Sequence, residues 1–287
     1  MEILAKLRMG ALLTALAMAS ALSAQNTQNK GSDKPQDQPI VLNARQIVGQ
    51  SLTAAEHSWQ ARNEYVYMER DEDRRLDSAG QVQSQNVDVT RMTLVNGIRF
   101  EQLVEHNGQL PSAEEQKKHD LDFEKLKHEN PDERATRLHK DEENRSFLRD
   151  LLDAFDFRLI GEEIVADRPA YVLEAMPHPG YHATGKYGKL FARVQGKLWV
   201  DKQDFGWVKV DGEVTQSFSM GLFVARVQRG SHIILEQICV GNSVWVPKRL
   251  EVRASARILL LKSLELDRIL TYSDYRPGAD GALSVKK

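Results

Sequence analysis

The sequence predicts an α+β fold dominated by consecutive antiparallel strands. Three observations predict it. From Phe157 to Tyr275, apolar and polar residues alternate in run after run, separated by turn residues and by no helical pattern. Tyr65 to Val104 shows the same period of two. An amphipathic helical stripe precedes the first strand, and a glycine-free, highly charged segment separates the two strand regions.

The elements follow in order. Lys6 and Arg8 precede an apolar run, Met9 to Ala21, and then small residues. This is the layout of a secretory signal peptide, expected to cover residues 1–24. The run is too short for a membrane span, which needs ~20 apolar residues. Residues 25–40 are almost wholly polar and read as a disordered linker. Asn43, with Gln46 three residues on, opens a helix over 44–60. Ile47, Val48, Ser51, Leu52, Ala55 and Trp59 form its buried stripe.

Two hairpins are predicted next. Tyr65 to Asp77 turns at 78–81 into Val82 to Val89, and Met92 to Leu94 turns at Asn96-Gly97 into Ile98 to Val104. No glycine occurs between Gly108 and Gly161. Ser112 with Glu115, and Asn130-Pro131-Asp132-Glu133, are helix starts. They predict helices over 113–129 and 131–153. Residues 112–150 hold 12 acids and 9 bases, so this pair sits mostly in water. The Phe147-Leu148, Leu151-Leu152 and Phe155 stripe is its expected docking end. Strands are expected over 157–164, 170–175, 190–200, 206–215, 222–228, 233–240, 244–257 and 264–275, with turns at 166–169, 201–204, 230–231 and 241–242.

Composition excludes several classes. The 287 residues carry 39 Lys+Arg and 41 Asp+Glu, a net charge of −2. Such a chain has no long-range field to draw nucleic acid or an anionic membrane. One cysteine, Cys239, cannot form an internal disulfide or a thiolate metal site. In its apolar strand it reads as a buried structural thiol. His178 and His182 share a proline- and glycine-rich loop rather than a helix, so a metal site is not expected. His119, His128 and His139 fall on the charged helices at spacings other than the i+3 or i+4 that would place two on one face. Acids and bases interleave over Glu69 to Arg75, which reads as a self-neutralised strand surface. Asp201-Lys202 and Asp204 read as turn chemistry alone. No phosphate loop, dinucleotide fingerprint, nucleophile elbow or His-Glu-x-x-His occurs. The chain is expected to be no enzyme and to need no cofactor or metal.

The segment Gly196 to Gly212, with Trp199-Val200-Asp201 running into an Asp-containing turn, resembles the periplasmic outer-membrane lipoprotein-sorting (LolA/LolB-like) family. Val244-Trp245-Val246-Pro247 and the closing Tyr272-Ser273-Asp274-Tyr275 are similar to later strands of that family. The resemblance implies a strongly curved antiparallel sheet, an unclosed half-barrel with covering helices. The resemblance covers roughly 44–276; the half-barrel domain is expected at 41–287, interrupted by the charged helical insertion at about 112–153. The resemblance also implies an exported, periplasmic or secreted monomer whose concave face binds a lipid acyl chain or a lipoprotein. Related members of the family use the same fold as regulatory modules, so the alternative is a structural or regulatory module with an envelope protein partner. The apolar side chains expected to line the concavity are Trp199, Trp207, Phe223, Leu235, Trp245 and Leu250.

Overall fold

The structure is a computed structural model. It describes residues 42–278 apart from 78, 96–97, 146–149, 183–187, 221–224 and 259–261. The expected signal peptide, the whole of the expected linker and Phe223 lie outside the described residues.

Helix α1 (Ala44–Arg62) starts on a complete capping box, in which the Asn43 side chain accepts from the Gln46 N–H and the Gln46 side chain accepts from the Asn43 N–H. Its Ile47, Val48, Ser51 and Leu52 are buried. Strands β1 (Tyr65–Leu76), β2 (Val82–Val95) and β3 (Ile98–His106) follow. β2 is one continuous strand, where the sequence pattern suggested two segments. It is paired along its length by β1 on one side and β3 on the other.

The charged excursion forms α2 (Ala113–Lys127) and α3 (Pro131–Arg145). Ser112 and Glu115 make the predicted capping box, and Asn130 Oδ1 accepts from the N–H groups of Asp132 and Glu133. α2 buries none of its residues. Its docking contact is Phe123, edge-on to Phe100 of β3 with ring centroids 5.2 Å apart. The expected long second helix stops earlier. Leu151–Ala154 form a separate turn, α4, and Phe155 already belongs to strand β4 (Phe155–Val165). Phe155 leaves the helical stripe because it pairs with Pro177 of β5 (Arg168–Pro177).

A short helix, α5 (Gly188–Phe191), takes the start of the run predicted as strand. Then come β6 (Val194–Asp201), β7 (Trp207–Val214), the short β8 (Phe218–Met220) and β9 (Ala225–Val227), β10 (His232–Val240), β11 (Val244–Ile258) and β12 (Lys262–Pro277). All described pairings are antiparallel, in the order β3-β2-β1-β12-β11-β10-β7-β6-β5-β4. The last strand therefore closes onto the first, while β3 and β4 remain two separate edges. The sheet is an open half-barrel. Register shifts between Val66 and Met68, Val89 and Thr90, Leu159 and Gly161, Trp199 and Val200, and Glu236 and Gln237 add the local bend and twist that such curvature needs.

α1 lies in the hollow. Ile47, Val48 and Leu52 pack with Leu173, Leu198, Val200, Trp207, Phe155 and Phe191 in one core. Two buried serines seat the helix. Trp207 Nε1 donates to Ser51 Oγ at 3.0 Å, and the Trp245 N–H donates to Ser58 Oγ at 3.0 Å.

The β4–β5 turn places Ala166 at φ 50° and Asp167 at φ 63°. Both are left-handed, the geometry of a two-residue hairpin turn that favours Asn-Gly. An alanine there carries a Cβ clash with the following carbonyl. Replacing Ala166→Asn together with Asp167→Gly is expected to raise stability by about 1 kcal/mol, read as a higher urea midpoint at unchanged slope.

Candidate functional site

Alternation decides which side chains enter the hollow. On β6 they are Val194, Gly196 and Leu198; on β7, Trp207, Val210, Gly212 and Val214; on β10, Ile233 and Leu235; on β11, Leu250, Val252 and Ala254. α1 covers only part of this face. Beside it lies a cavity of about 200 Å³ whose walls are almost wholly apolar. Val48 of α1, Leu151 of α4 and Phe191 of α5 close it from above. Trp207, Val210, Ile233 and Val252 form its sheet side.

The floor depends on two glycines. Gly196 and Gly212 face each other in register on β6 and β7. A Cβ on Gly196 would collide with the Asp211 carbonyl oxygen. A Cβ on Gly212 would sit 3.2 Å from Ile233 Cγ2 and 3.5 Å from Val194 Cγ1, filling the bottom of the hollow. The pair lets the cavity reach the backbone of Lys197 and Asp211, which otherwise point to the outer face.

The six expected lining residues divide. Trp207 lines the cavity. Leu235 and Leu250 are directly paired and point inward. They form a buried cluster with Val252 and Leu270 that touches Val210, Ile233 and Ala254 of the cavity wall. Trp199 and Trp245 do not line it. They pack on the opposite, outer face with Ala170, Val172 and Val208, with Cys239 half-buried beside them. Trp199 stands one residue out of phase with Leu198 and Val200, and a shift of one residue moves a side chain to the other face. Each outer indole has a polar partner: Trp199 Nε1 donates to Glu163 at 2.8 Å, and Trp245 Nε1 donates to Asp204 at 2.9 Å. The sixth, Phe223, lies outside the described residues.

The same outer cluster corrects the reading of Asp201 and Asp204. Turn geometry is present, since Asp201 accepts from the N–H groups of Gln203 and Asp204. Asp201 is also fully buried and takes two bonds from Arg168, at 2.6 and 2.9 Å, while Arg168 bonds Asp204 at 3.0 Å. Burial alone would raise the Asp201 carboxyl. The Arg168 guanidinium and the turn N–H groups outweigh it and hold the carboxyl at about 2. Thus these acids anchor the β5–β6–β7 corner. Burial, then the Asp204 charge, pushes the Cys239 thiol up, which disfavours a thiolate.

The acidic stretch of β1 is also more than a neutral surface. Its outward Glu72 pairs with Arg70 and Arg74, as alternation suggested. Its inward row is Tyr67, Glu69, Asp71 and Asp73, beside Tyr272, Leu270 and Arg268 of β12. Asp71 takes two bonds from Arg268. Half-buried Glu69 is pushed up to about 7, by burial first and then by Glu101 and Asp71. Hence the hollow has an apolar half over β4–β11 and a charged half over β1–β3. Among the described residues, no three of His, Cys, Asp and Glu stand together as metal ligands. His178 instead bonds Asp156 at 2.9 Å.

An open antiparallel half-barrel with a helix in its hollow and an apolar cavity beside that helix is the class the geometry defines. Solved structures similar to this chain include a DUF1329 family protein from Desulfovibrio piger, at 14% identity and TM-score 0.34, covering 84% of this chain and 95% of that one. A LolA superfamily protein from Nitrosomonas europaea matches at 11% identity and TM-score 0.28, covering 86% and 99%. The MucA/MucB complex structure from Pseudomonas aeruginosa matches at 12% identity and TM-score 0.25, covering 82% and 99%. The family that the sequence resembles is represented among these structures. No family model and no curated protein matches the chain.

Glu69 makes the charged half sensitive to pH. Its folded-state value, about 7, lies above the ordinary 4.5. The stability it confers is therefore present below about pH 4.5 and lost as pH rises through 7. The substitution Glu69→Gln is expected to stabilise the protein at pH 8, by on the order of 1–2 kcal/mol. Near pH 4.5 that difference should vanish, as thermal melts of both proteins across this range would register.

Proposed function

We propose that this chain is an exported, non-enzymatic binding protein whose half-barrel takes the acyl chain of a lipid or lipoprotein. The carrying observation is the cavity of about 200 Å³ between α1 and the sheet, with its apolar walls and its two-glycine floor. Closed cores are packed to the density of organic crystals and hold few voids larger than a water. An apolar void of roughly 150 Å³ already binds a small hydrocarbon. Burying an alkyl chain contributes ~0.8 kcal/mol per CH₂. The lid over this void consists of α1 and the one-turn elements α4 and α5, which are small enough to move aside for a chain. Export to the periplasm is supported by the leader-like residues 1–24. We take the working form to be a monomer.

Purified protein is expected to bind a fluorescent fatty-acid probe saturably, with competition by long-chain lipid. Lipid extraction and mass spectrometry of protein taken from the periplasm should recover an acyl-chain compound. Gly212→Val, which fills the floor, is expected to weaken probe binding at least tenfold while the protein stays folded by circular dichroism. Binding of equal strength in this variant would place the ligand elsewhere.

A second reading rests on α2 and α3. α2 has no buried residue and is held to β3 through Phe123, so it presents a charged surface that the sheet does not use. In that reading the pair captures an envelope protein, with the sheet as scaffold. Deleting residues 113–145 separates the two. Lipid binding that survives while partner capture is lost favours the second reading; the reverse favours the carrier.

A further inference from the structure

The last inward residue of α1 is an arginine. Along the buried face of the helix run Val48, Ser51, Ala55, Ser58 and Arg62, one or two per turn. Val48 stands over the apolar cavity, and Arg62 lies about 21 Å further along the helix axis, at 1.5 Å per residue. Arg62 is only 7% exposed. Its guanidinium stacks on the Trp59 ring at 3.4 Å. Its Nε is buried and meets no acceptor.

A second arginine adds to the problem. Arg99 of β3 points into the same half of the hollow, and one of its terminal nitrogens donates to the Arg62 carbonyl at 3.4 Å. Its Nε is likewise buried without an acceptor. Among the described residues no carboxylate forms an ion pair with either guanidinium. Glu69 and Glu101 share the inner row; burial pushes Glu69 up to about 7, so its charge is only partly developed near neutral pH. Burial first, and Arg99 second, lower the proton affinity of Arg62, and Tyr67, Tyr275 and Tyr272 oppose that shift. A buried guanidinium beside a half-buried one, each with an unmet Nε, is unfavourable unless an anion joins them.

The surroundings lead back to the cavity. Arg62, Ser58, Trp59, Gln237, Trp245 and Trp207 enclose a small void of about 10 Å³. Gln237 and Ser58 are buried polar side chains, at 8% and 4% exposure. The Trp207 indole is a wall of both this void and the large cavity. A polar, arginine-bearing end and an apolar end thus meet at one side chain, under one helix.

We propose that Arg62 and Arg99 form an anion subsite for the acidic headgroup of an amphiphile whose alkyl chain lies in the cavity. This deepens the carrier reading and rests on it. The guanidinium fork suits two oxygens of one carboxylate or phosphate. Either a fatty acid or a lysophospholipid supplies such a group. The headgroup passes the Trp207 indole, which Ser51 holds through one hydrogen bond.

The test compares acids with their neutral partners. Palmitate is measured against methyl palmitate, and palmitoyl lysophosphatidate against monopalmitin, on wild type, Arg62→Gln and Arg99→Gln. Wild type is expected to bind at least one acid tenfold or more tightly than its neutral partner. Which acid does so identifies the headgroup. In both variants that ratio should fall towards one. Equal wild-type affinity for acid and neutral partner overturns the subsite and leaves the carrier reading standing, with no need for a folded variant. A variant that melts earlier yet keeps the wild-type ratio marks a structural arginine and also overturns it. If none of the four amphiphiles binds, the carrier reading fails, and inorganic phosphate then decides the subsite alone. A phosphate-induced rise in melting temperature seen in wild type and lost in Arg62→Gln upholds it; no rise in wild type overturns it.

Discussion

The seat of α1 on two buried serines determines the rest of the interior. Ser51 and Ser58 are seven residues apart, two helical turns, so their hydroxyls fall on one line facing the sheet. One accepts from the Trp207 indole and the other from the backbone of Trp245, at the starts of β7 and β11. Ser51 also donates back to the Val48 carbonyl, which fixes its hydroxyl hydrogen and leaves its lone pairs for the indole. Buried polar groups with satisfied partners have few alternative placements. The helix is therefore fixed in rotation as well as position. A half-barrel's inner face is wider than one helix, so fixing the helix also fixes which apolar strip it leaves beside it.

That strip differs along the sheet because the inward residues differ. Over β6, β7, β10 and β11 they are valine, leucine, isoleucine and the Gly196–Gly212 pair. Over β1 and β12 they turn to Glu69, Asp71 and Arg268. The boundary is crossed in a single step of register: Val252 of the cavity wall pairs with Arg268, which binds Asp71. The outer face mirrors this inequality. Where the inside is apolar, the outside is held by the buried Arg168–Asp201 pair and the two indoles. Where the inside is charged, the outside carries a ladder of half-buried ion pairs, such as Arg74 with Glu72 and with the buried Asp267.

Most of the scaffold was legible in local sequence, and the site was less so, for physical reasons. Capping boxes at Asn43 and Ser112 are local signals, and both form as read. Strand existence follows from period-two alternation, which survives distortion of the sheet. Which phase faces inward does not follow from alternation when both phases carry aromatics. Trp199 and Trp207 each sit in a good strand pattern, and they point to opposite faces. Part of the reason is the register shift beside Val200. Trp207 pairs with Val200, but Lys209 pairs with Trp199, so Val208 is the extra residue. Inward Trp207 and Val210 are consequently three positions apart rather than two. Arg62 was hidden differently. At a helix C-terminus a basic residue reads as a solvated partner of the helix dipole. Its surroundings are tertiary: Tyr67, Tyr272 and Tyr275 lie near enough to act on its charge, two of them on a strand some 200 residues away in the chain. Glu69 likewise reads as one charge among many until β12 and β3 enclose it.

The two unusual features of the hollow have a common consequence. Apolar walls around a void forgo the dispersion contacts that a packed core would have. Guanidinium nitrogens buried without acceptors forgo hydrogen bonds worth more than neutral ones. Either feature alone is removed by ordinary side-chain choice. A larger residue at Gly212 closes the floor, and a glutamine at Arg62 drops the charge. Neither choice has been made here, and the features lie at two ends of the same helix face, separated by one indole. A chain selected for folding stability alone has no use for both. A chain that must accept a molecule with an apolar tail and an acidic end needs both, at this separation and on one side of one helix.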